Sequence, residues 1–265
     1  MLSPVHEVNT IEQFSEWVWN VGERFTRGGL YETAWFRGAG NARYHLAPGL
    51  YRTDAGKEPW ADSELRLQFM RRGIPLVSER PPQNDWDWYF LMQHYRAPTR
   101  LLDWTDSALV ALYFALASAT VDPVRRPAVW ALNPFTLNKT SGMEGPAAVD
   151  IEDLSRYLPR PYSTEELPRI PVAIDPPLAA QRMVVQHSHF TLHGSDIRGI
   201  DEMKNELNLS DDLLRTEIIL EDQDDLDYLL RHLAMLGISE TSIFPDLEGL
   251  SRELRMEYRL DASTR

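Results

Sequence analysis

The sequence predicts an α+β fold in which a mixed β-sheet is flanked by helices. Three observations carry this expectation. Apolar residues recur at helical spacing in separate stretches, notably 11–26, 58–72, 223–236 and 246–258. Short runs rich in valine, isoleucine, leucine and tryptophan lie between them, as at 128–132 and 170–174. Finally, the two patterns alternate without a strict strand–helix–strand rhythm, which favours a mixed sheet and one continuous domain over 1–265. A chain of 265 residues has ample material for a core.

Along the chain, Thr10-Ile11-Glu12-Gln13 reads as a capping box, and Phe14, Trp17, Val18 and Val21 follow on one helical face. The helix 11–26 stops at Gly28-Gly29. A short strand, 32–37, ends at Arg37, directly before Gly38-Ala39-Gly40. Residues 44–49 are loop-like and turn at Pro48-Gly49. A second helix, 58–72, carries Leu65 and Phe69 and has Gly73 at its C′ position. After a polar, proline-bearing loop at 80–84, an aromatic helix, 86–95, delivers Gln93 and His94 at its C-terminal end. Pro98 breaks that helix and gathers Gln93, His94 and Arg100 around a turn. Thr105 or Asp106 caps helix 107–120, which is apolar on all faces and therefore central. Strand 128–132 follows. Residues 139–168 are polar and without period, a long excursion suited to a lid. Ile170-Pro171 opens a strand over 170–174, at an edge or a strand start. Strands at 182–193 and 216–220, helix 223–236 ended by Gly237, and helix 246–258 complete the chain. Internal repeats and low-complexity tracts are absent.

Composition excludes several chemistries. With no cysteine, disulfides, thiolate catalysis and cysteine-based zinc sites are ruled out. No apolar run reaches the roughly 18 residues of a membrane span. The first eight residues lack the basic and apolar pattern of a signal peptide, so a cytoplasmic protein is expected. The net charge is −13, and residues 201–265 hold 7 basic against 17 acidic side chains, which is −10 of the total. That balance opposes indiscriminate binding to nucleic-acid backbone. The P-loop, the Gly-x-Gly-x-x-Gly dinucleotide turn and the Gly-x-Ser-x-Gly elbow are all missing. The acidic run Glu221 to Asp225 reads as a solvated helix start.

Several residues suit chemistry better than a core. Arg37 offers a planar five-donor fork to a phosphate or carboxylate, or else pairs with a buried carboxylate to staple the fold. His94 has an ordinary pKa of about 6.5 and serves either as general acid or base or as a donor closing the turn before Pro98. Asp103 lies three residues after Arg100 and is expected to hold its guanidinium. Trp104 is either a stacking surface for a ring or plain core. On the late strand His187, His189, Thr191 and His193 share one face, with Ser188, Phe190 and Leu192 on the other. The histidine face is expected to look into a cleft or solvent. A transition-metal site there is the lesser alternative.

These pieces also carry a family resemblance. Phe36-Arg37-Gly38, the stretch from His94 to Trp104, Gln186-His187 before Phe190-Thr191, and Ile243-Phe244-Pro245-Asp246-Leu247-Glu248-Gly249 resemble the FRG-domain family. The layout of an early-strand arginine, a middle polar cluster and a late-strand amide further resembles the ADP-ribosyltransferase plan. That resemblance implies a split sheet and NAD as substrate, with no metal. It implies a catalytic set of Arg37, His94, Gln186 and Glu248, and an NAD-binding surface of Arg37, Gly38, Tyr95, Thr99, Arg100, Trp104 and His187. At the late position Gln186 is an amide where the plan has glutamate, and no carboxylate lies between Gln181 and Ser195. Glu217 and Glu248 are the candidates for the missing charge. The implied role is a toxin or phage-defence effector with a nucleic-acid or protein acceptor, a possible neutralising partner protein and no membrane. The alternative is a non-catalytic module that holds a phosphorylated ligand through Arg37 and Arg100.

Overall fold

The computed structural model describes residues 6–26, 33–77, 82–148, 152–158, 166–176 and 188–258. Its strands are β1 (His6–Val8), β2 (Trp35–Ala39), β3 (Leu101–Thr105), β4 (Ala128–Leu132), β5 (Ala147–Ala148), β6 (Val172–Asp175), β7 (Ser188–Leu192) and β8 (Leu213–Ile218). They form one open sheet in the order β1-β8-β4-β2-β3-β7-β6-β5. The outer pairs β1–β8 and β5–β6 are parallel and the inner ones antiparallel, so the sheet is mixed. Its two halves are joined weakly. β4 pairs with β2 over five residues and β3 with β7 over five, but β2 meets β3 through one pair, Phe36 opposite Thr105.

Eight helices flank the sheet among the described residues: α1 (Ile11–Phe25), α2 (Ala61–Gly73), α3 (Asp85–His94), α4 (Ala108–Ala117), α5 (Pro134–Lys139), α6 (Gln223–Met235), α7 (Glu240–Ile243) and α8 (Leu247–Glu257). Strand alternation sorts their packing. Phe36, Val129, Ala131 and Ile218 bury against α1, α4 and α6. Trp35, Trp130, Leu132 and Leu213, one residue out of phase, bury on the other face with Leu46, Ile200, Met203 and Leu207. In the second half-sheet, Leu101, Val172, Phe190 and Leu192 pack with Tyr89, Phe90 and Met92 of α3.

Local chemistry explains the starts of these helices. Thr10 caps α1 by accepting from the Gln13 amide, and the Gln13 side chain returns to the Asn9 amide at 3.0 Å. α4 begins one residue later than expected. Its N-cap is Ser107 rather than Thr105 or Asp106, because Thr105 still belongs to β3. α4 lies directly on β2: a Cβ placed on Gly38 would come within 1.9 Å of the Ala111 carbonyl, and one on Gly40 within 2.0 Å of the Ser118 carbonyl. Only glycine permits that approach.

The structure shifts several expected boundaries. β2 starts at Trp35, so Arg37 is mid-strand rather than at a strand's end. The helix expected over 58–72 runs Ala61–Gly73 and includes its glycine, and the strand expected at 216–220 runs Leu213–Ile218. The turn expected around Arg100 leads straight into β3. Of the 139–168 excursion, Leu154, Tyr157 and Leu158 are buried in the core beneath α3. No described helix is long and apolar enough to cross a membrane.

Candidate functional site

Where β2 and β3 part, a cleft of about 850 Å³ opens. β2 and β3 form its floor, α3 and α4 two walls, and the α7–α8 pair a third. Past the Phe36–Thr105 pair the Asp103 carbonyl has no ladder partner on β2, and the Arg37 side chain fills that role, donating through Nη1 at 2.5 Å. The same guanidinium nitrogen lies 3.8 Å from the Asp103 carboxylate, whose side chain is 58% exposed to the cleft.

Gln93 holds that carboxylate from the opposite side. Its Nε2 donates to Asp103 Oδ1 at 2.9 Å, while its Oε1 accepts from the Thr99 hydroxyl at 2.5 Å. Thr99 is buried and fixed in turn, accepting from the Leu101 amide at 3.1 Å. The amide therefore has one orientation and fixes the Asp103 carboxylate, while Arg37 fixes the Asp103 main chain. Burial pushes the Arg37 guanidinium down to about 10, Arg52 adds repulsion, and Asp103 opposes both. Arg37 stays charged at neutral pH, with room for a further anion.

The third wall is a second polar cluster. Glu240 is buried and accepts hydrogen bonds from the Tyr113 hydroxyl and from Arg252 Nε. The Arg252 guanidinium stands over the Phe244 ring, 4.9 Å from its centroid. Burial, together with the Glu240 hydrogen bond, raises the Tyr113 phenol well above its usual range. In all, Arg37, Arg52, Arg96 and Arg252 line the cleft against two carboxylates, Asp103 and Glu240. The cleft is thus locally cationic in a chain of net charge −13.

Of the residues singled out in the sequence, Arg37, Gly38, His94, Thr99 and Trp104 border this cleft. Two do so by backbone or by position rather than by a ligand-facing group. Gly38 turns its missing Cβ toward α4, and the Trp104 indole is buried, donating from Nε1 to Thr191 Oγ1 at 3.0 Å. Trp104 is thus core rather than a stacking surface. His94 meets Tyr95 edge-on at 5.0 Å, and Tyr95 itself is exposed and lies off the cleft lining.

Arg100 is not at the site. It is fully buried, bonded to Asp62 through Nε, to the His193 carbonyl at 2.5 Å and to the Tyr157 carbonyl. Asp103 serves Arg37 and not Arg100, since residues three apart on an extended chain point to opposite faces. Glu248 is 78% exposed and bonded to Arg252, away from the cleft. Glu217 lies in a separate groove with Arg126, Arg215 and His45. Gln186 and His187 fall outside the described residues.

The histidine face is reversed from expectation. Ser188 and Phe190 border the cleft, while His189 stacks on Trp35 at 4.5 Å and bonds to Asp175 at 2.8 Å on the opposite face. His193 is fully buried, and burial followed by the Arg100 charge pushes its pKa down to about 3. No group of three or more metal-ligating side chains occurs among the described residues. Sequence reasoning passed over Glu240, Arg252 and Tyr113. The only linear signal for Glu240 and Arg252 is the Phe244-to-Gly249 motif beside them, and Tyr113 sits within the apolar run of α4.

No curated protein and no solved structure matches the chain. The family model for the FRG domain matches residues 32–122. That segment runs from β2 through α4 and carries Arg37, Gln93, His94, Thr99 and Asp103, the residues that build the cleft floor and its α3 wall. Over residues 32–122, then, the chain carries an FRG domain.

Proposed function

We propose that the cleft binds NAD and transfers its ADP-ribose group to a nucleic-acid or protein acceptor. The observation that carries this reading is the juxtaposition of Arg37 and Asp103 at the split in the sheet, one a fixed cation and the other an aimed, exposed carboxylate. Arg37 holds the pyrophosphate or the nicotinamide ribose, as the resemblance implies. Cleavage breaks the bond between ribose C1′ and the nicotinamide nitrogen. The electron pair leaves with neutral nicotinamide, and positive charge builds on the ribose ring. Asp103 takes the role that the plan gives to a late glutamate, placing negative charge beside that centre. The acceptor then attacks C1′ and releases a proton, for which His94 on the α3 wall is the candidate base.

The excess of arginines over carboxylates favours a second reading, a module that only binds a phosphorylated ligand. One experiment separates the two. Purified protein is incubated with NAD labelled in the adenylate, together with total RNA, single- and double-stranded DNA and cell lysate. Arg37→Ala and Asp103→Asn run in parallel, and NAD binding is measured by calorimetry. Transfer or nicotinamide release that is lost in both variants supports the transferase. Binding without turnover, lost in Arg37→Ala and kept in Asp103→Asn, supports the module. Neither binding nor turnover by folded protein refutes both.

A further inference from the structure

Helix α3 ends in an unusual cap. The Ala97 amide donates to the Met92 carbonyl at 2.9 Å and the Arg96 amide to the Gln93 carbonyl at 3.0 Å, the paired bonds of a Schellman motif. That closure needs a residue in the left-handed region, and Arg96 supplies it at φ 59°. Three other turns among the described residues close with the same pair of bonds, at Gly142, Asn208 and Gly237. They use glycine or asparagine, the residues that bear this conformation with least strain. Only the α3 cap carries a long side chain, and of the four it is the one that lines the cleft. An arginine kept where glycine would be less strained points to a role in the site.

The charge of Arg96 is also uncommitted. Among the four cleft arginines, Arg37 is engaged by Asp103, and Arg252 by Glu240 and Glu248. Arg96 is exposed, and its guanidinium has no ion pair or hydrogen bond among the described residues. Arg52 donates through Nε to the Ala47 carbonyl at 3.1 Å and has no carboxylate partner among them. The two arginines come from segments docked on each other. Leu50, in the short 3-10 turn Gly49–Arg52, donates its amide to the Thr99 carbonyl at 3.2 Å, just past the α3 cap.

We propose that Arg96 and Arg52 clamp the diphosphate of a nucleotide in this cleft, leaving Arg37 beside Asp103 at the ribose. This rests on the nucleotide reading of the cleft and applies to its transferase and its binding form alike. Two guanidinium forks from two segments match the two phosphates of a diphosphate.

The test is calorimetry with ADP-ribose, which keeps the diphosphate but has no nicotinamide to lose. Wild type, Arg96→Gly and Arg52→Met are compared as full chains, with adenosine as the phosphate-free ligand and a thermal melt of each protein alone. ADP-ribose should bind wild type about tenfold or more tightly than adenosine does, and each variant should weaken it by a similar factor. Arg96→Gly should melt no lower than wild type, because glycine relieves the cap. A merely structural arginine would give the opposite melt. Either variant keeping more than a tenth of the wild-type affinity overturns the proposal, as does Arg96→Gly losing affinity together with melting temperature. Adenosine binding as tightly as ADP-ribose overturns it too. Folded wild type that binds no ADP-ribose removes the nucleotide reading itself, whereas variants that keep the affinity remove the clamp alone.

Discussion

Replacing Asp62 by alanine removes the counter-charge of a guanidinium with no access to water. The two side chains are 7% and 1% exposed, and Asp62 accepts from Arg100 Nε and from the Tyr89 hydroxyl at 2.9 Å. Tyr89 in turn accepts from the Arg100 amide at 2.8 Å. Burial alone would lower the Arg100 pKa, but Asp62 and the phenols of Tyr89 and Tyr51 outweigh it, so the guanidinium stands above its ordinary value. Breaking such a pair from one side costs about 3–5 kcal/mol. The stranded Tyr89 hydroxyl adds about 1 kcal/mol. Against a total stability of about 5–15 kcal/mol, Asp62→Ala should be close to unfolding. Removing both charges, as in Asp62→Leu/Arg100→Met, should cost far less than the two single changes together. Urea unfolding followed by tryptophan fluorescence gives the cycle, and calorimetry with NAD gives binding. Arg100→Met that unfolds no more easily than wild type, yet loses the ligand, would show Arg100 to be a ligand-binding residue and refute this assignment.

The remaining predictions concern the packing, the buried histidine and the cleft floor. Gly38→Ala forces a Cβ to within 1.9 Å of the Ala111 carbonyl, so α4 must lift, and a thermal melt should register a loss of about 3 kcal/mol. Neutral buried His193 has a folded pKa of about 3 against about 6.5 when unfolded. Between those values the unfolded chain binds more protons, so stability is full above pH 6.5 and declines as pH falls. The expected loss is about 2–3 kcal/mol by pH 4.5 in denaturant titrations, and a His193→Phe variant should be flatter over the same window. Arg37→Met leaves the Asp103 carbonyl unpaired and should cost about 2 kcal/mol. Arg37→Lys should keep most of that stability while losing the planar fork, so NAD calorimetry should fall in both variants but urea unfolding in only one. Asp103→Asn should lower kcat about 10²–10³-fold with KM changed only a few-fold. An equal fall in affinity would place Asp103 in ground-state binding.

Much of the architecture was legible because it rests on local rules. The capping box at Thr10, the apolar run at 108–117 and the β4 run from Ala128 to Leu132 each name their element without reference to the rest of the chain. The mixed sheet followed from the irregular alternation of such elements. β1 and β5, of three and two residues, did not, since strands so short have no period to read and exist only through their neighbours. The cleft was half legible. Arg37 announced itself as a cation beside glycines, and Gln93 and His94 as polar groups at a helix end. The partner of Arg37 is hidden in the sequence, because Asp103, three residues after Arg100, offers itself as that arginine's counter-charge. Once residues 101–105 are read as a strand, they must diverge. Glu240 and Arg252 reach the cleft from well over a hundred residues beyond β3, and no spacing rule spans that distance.

The weak join in the sheet accounts for the position of the site. A strand that stops pairing inside a sheet exposes backbone groups, which a folded chain must cover or fill. On β2, Gly38 and Gly40 bring α4 onto the strand backbone, while the mid-strand Arg37 reaches across to the Asp103 carbonyl. The gap is therefore bridged by a side chain instead of a ladder, and a side chain carries charge where a ladder carries none. From the other half-sheet, β3 brings the Asp103 carboxylate to the same gap, and α3 orients it through Gln93. Each feature has a structural reason to exist. Their sum is a cation and an aimed carboxylate on the floor of a cleft, each held by a strand of the sheet. That preorganisation gives a polar pair its leverage over a ligand's charge, and it ties the FRG segment's defining arginine and glycine to separate tasks, one facing the cleft and the other facing α4.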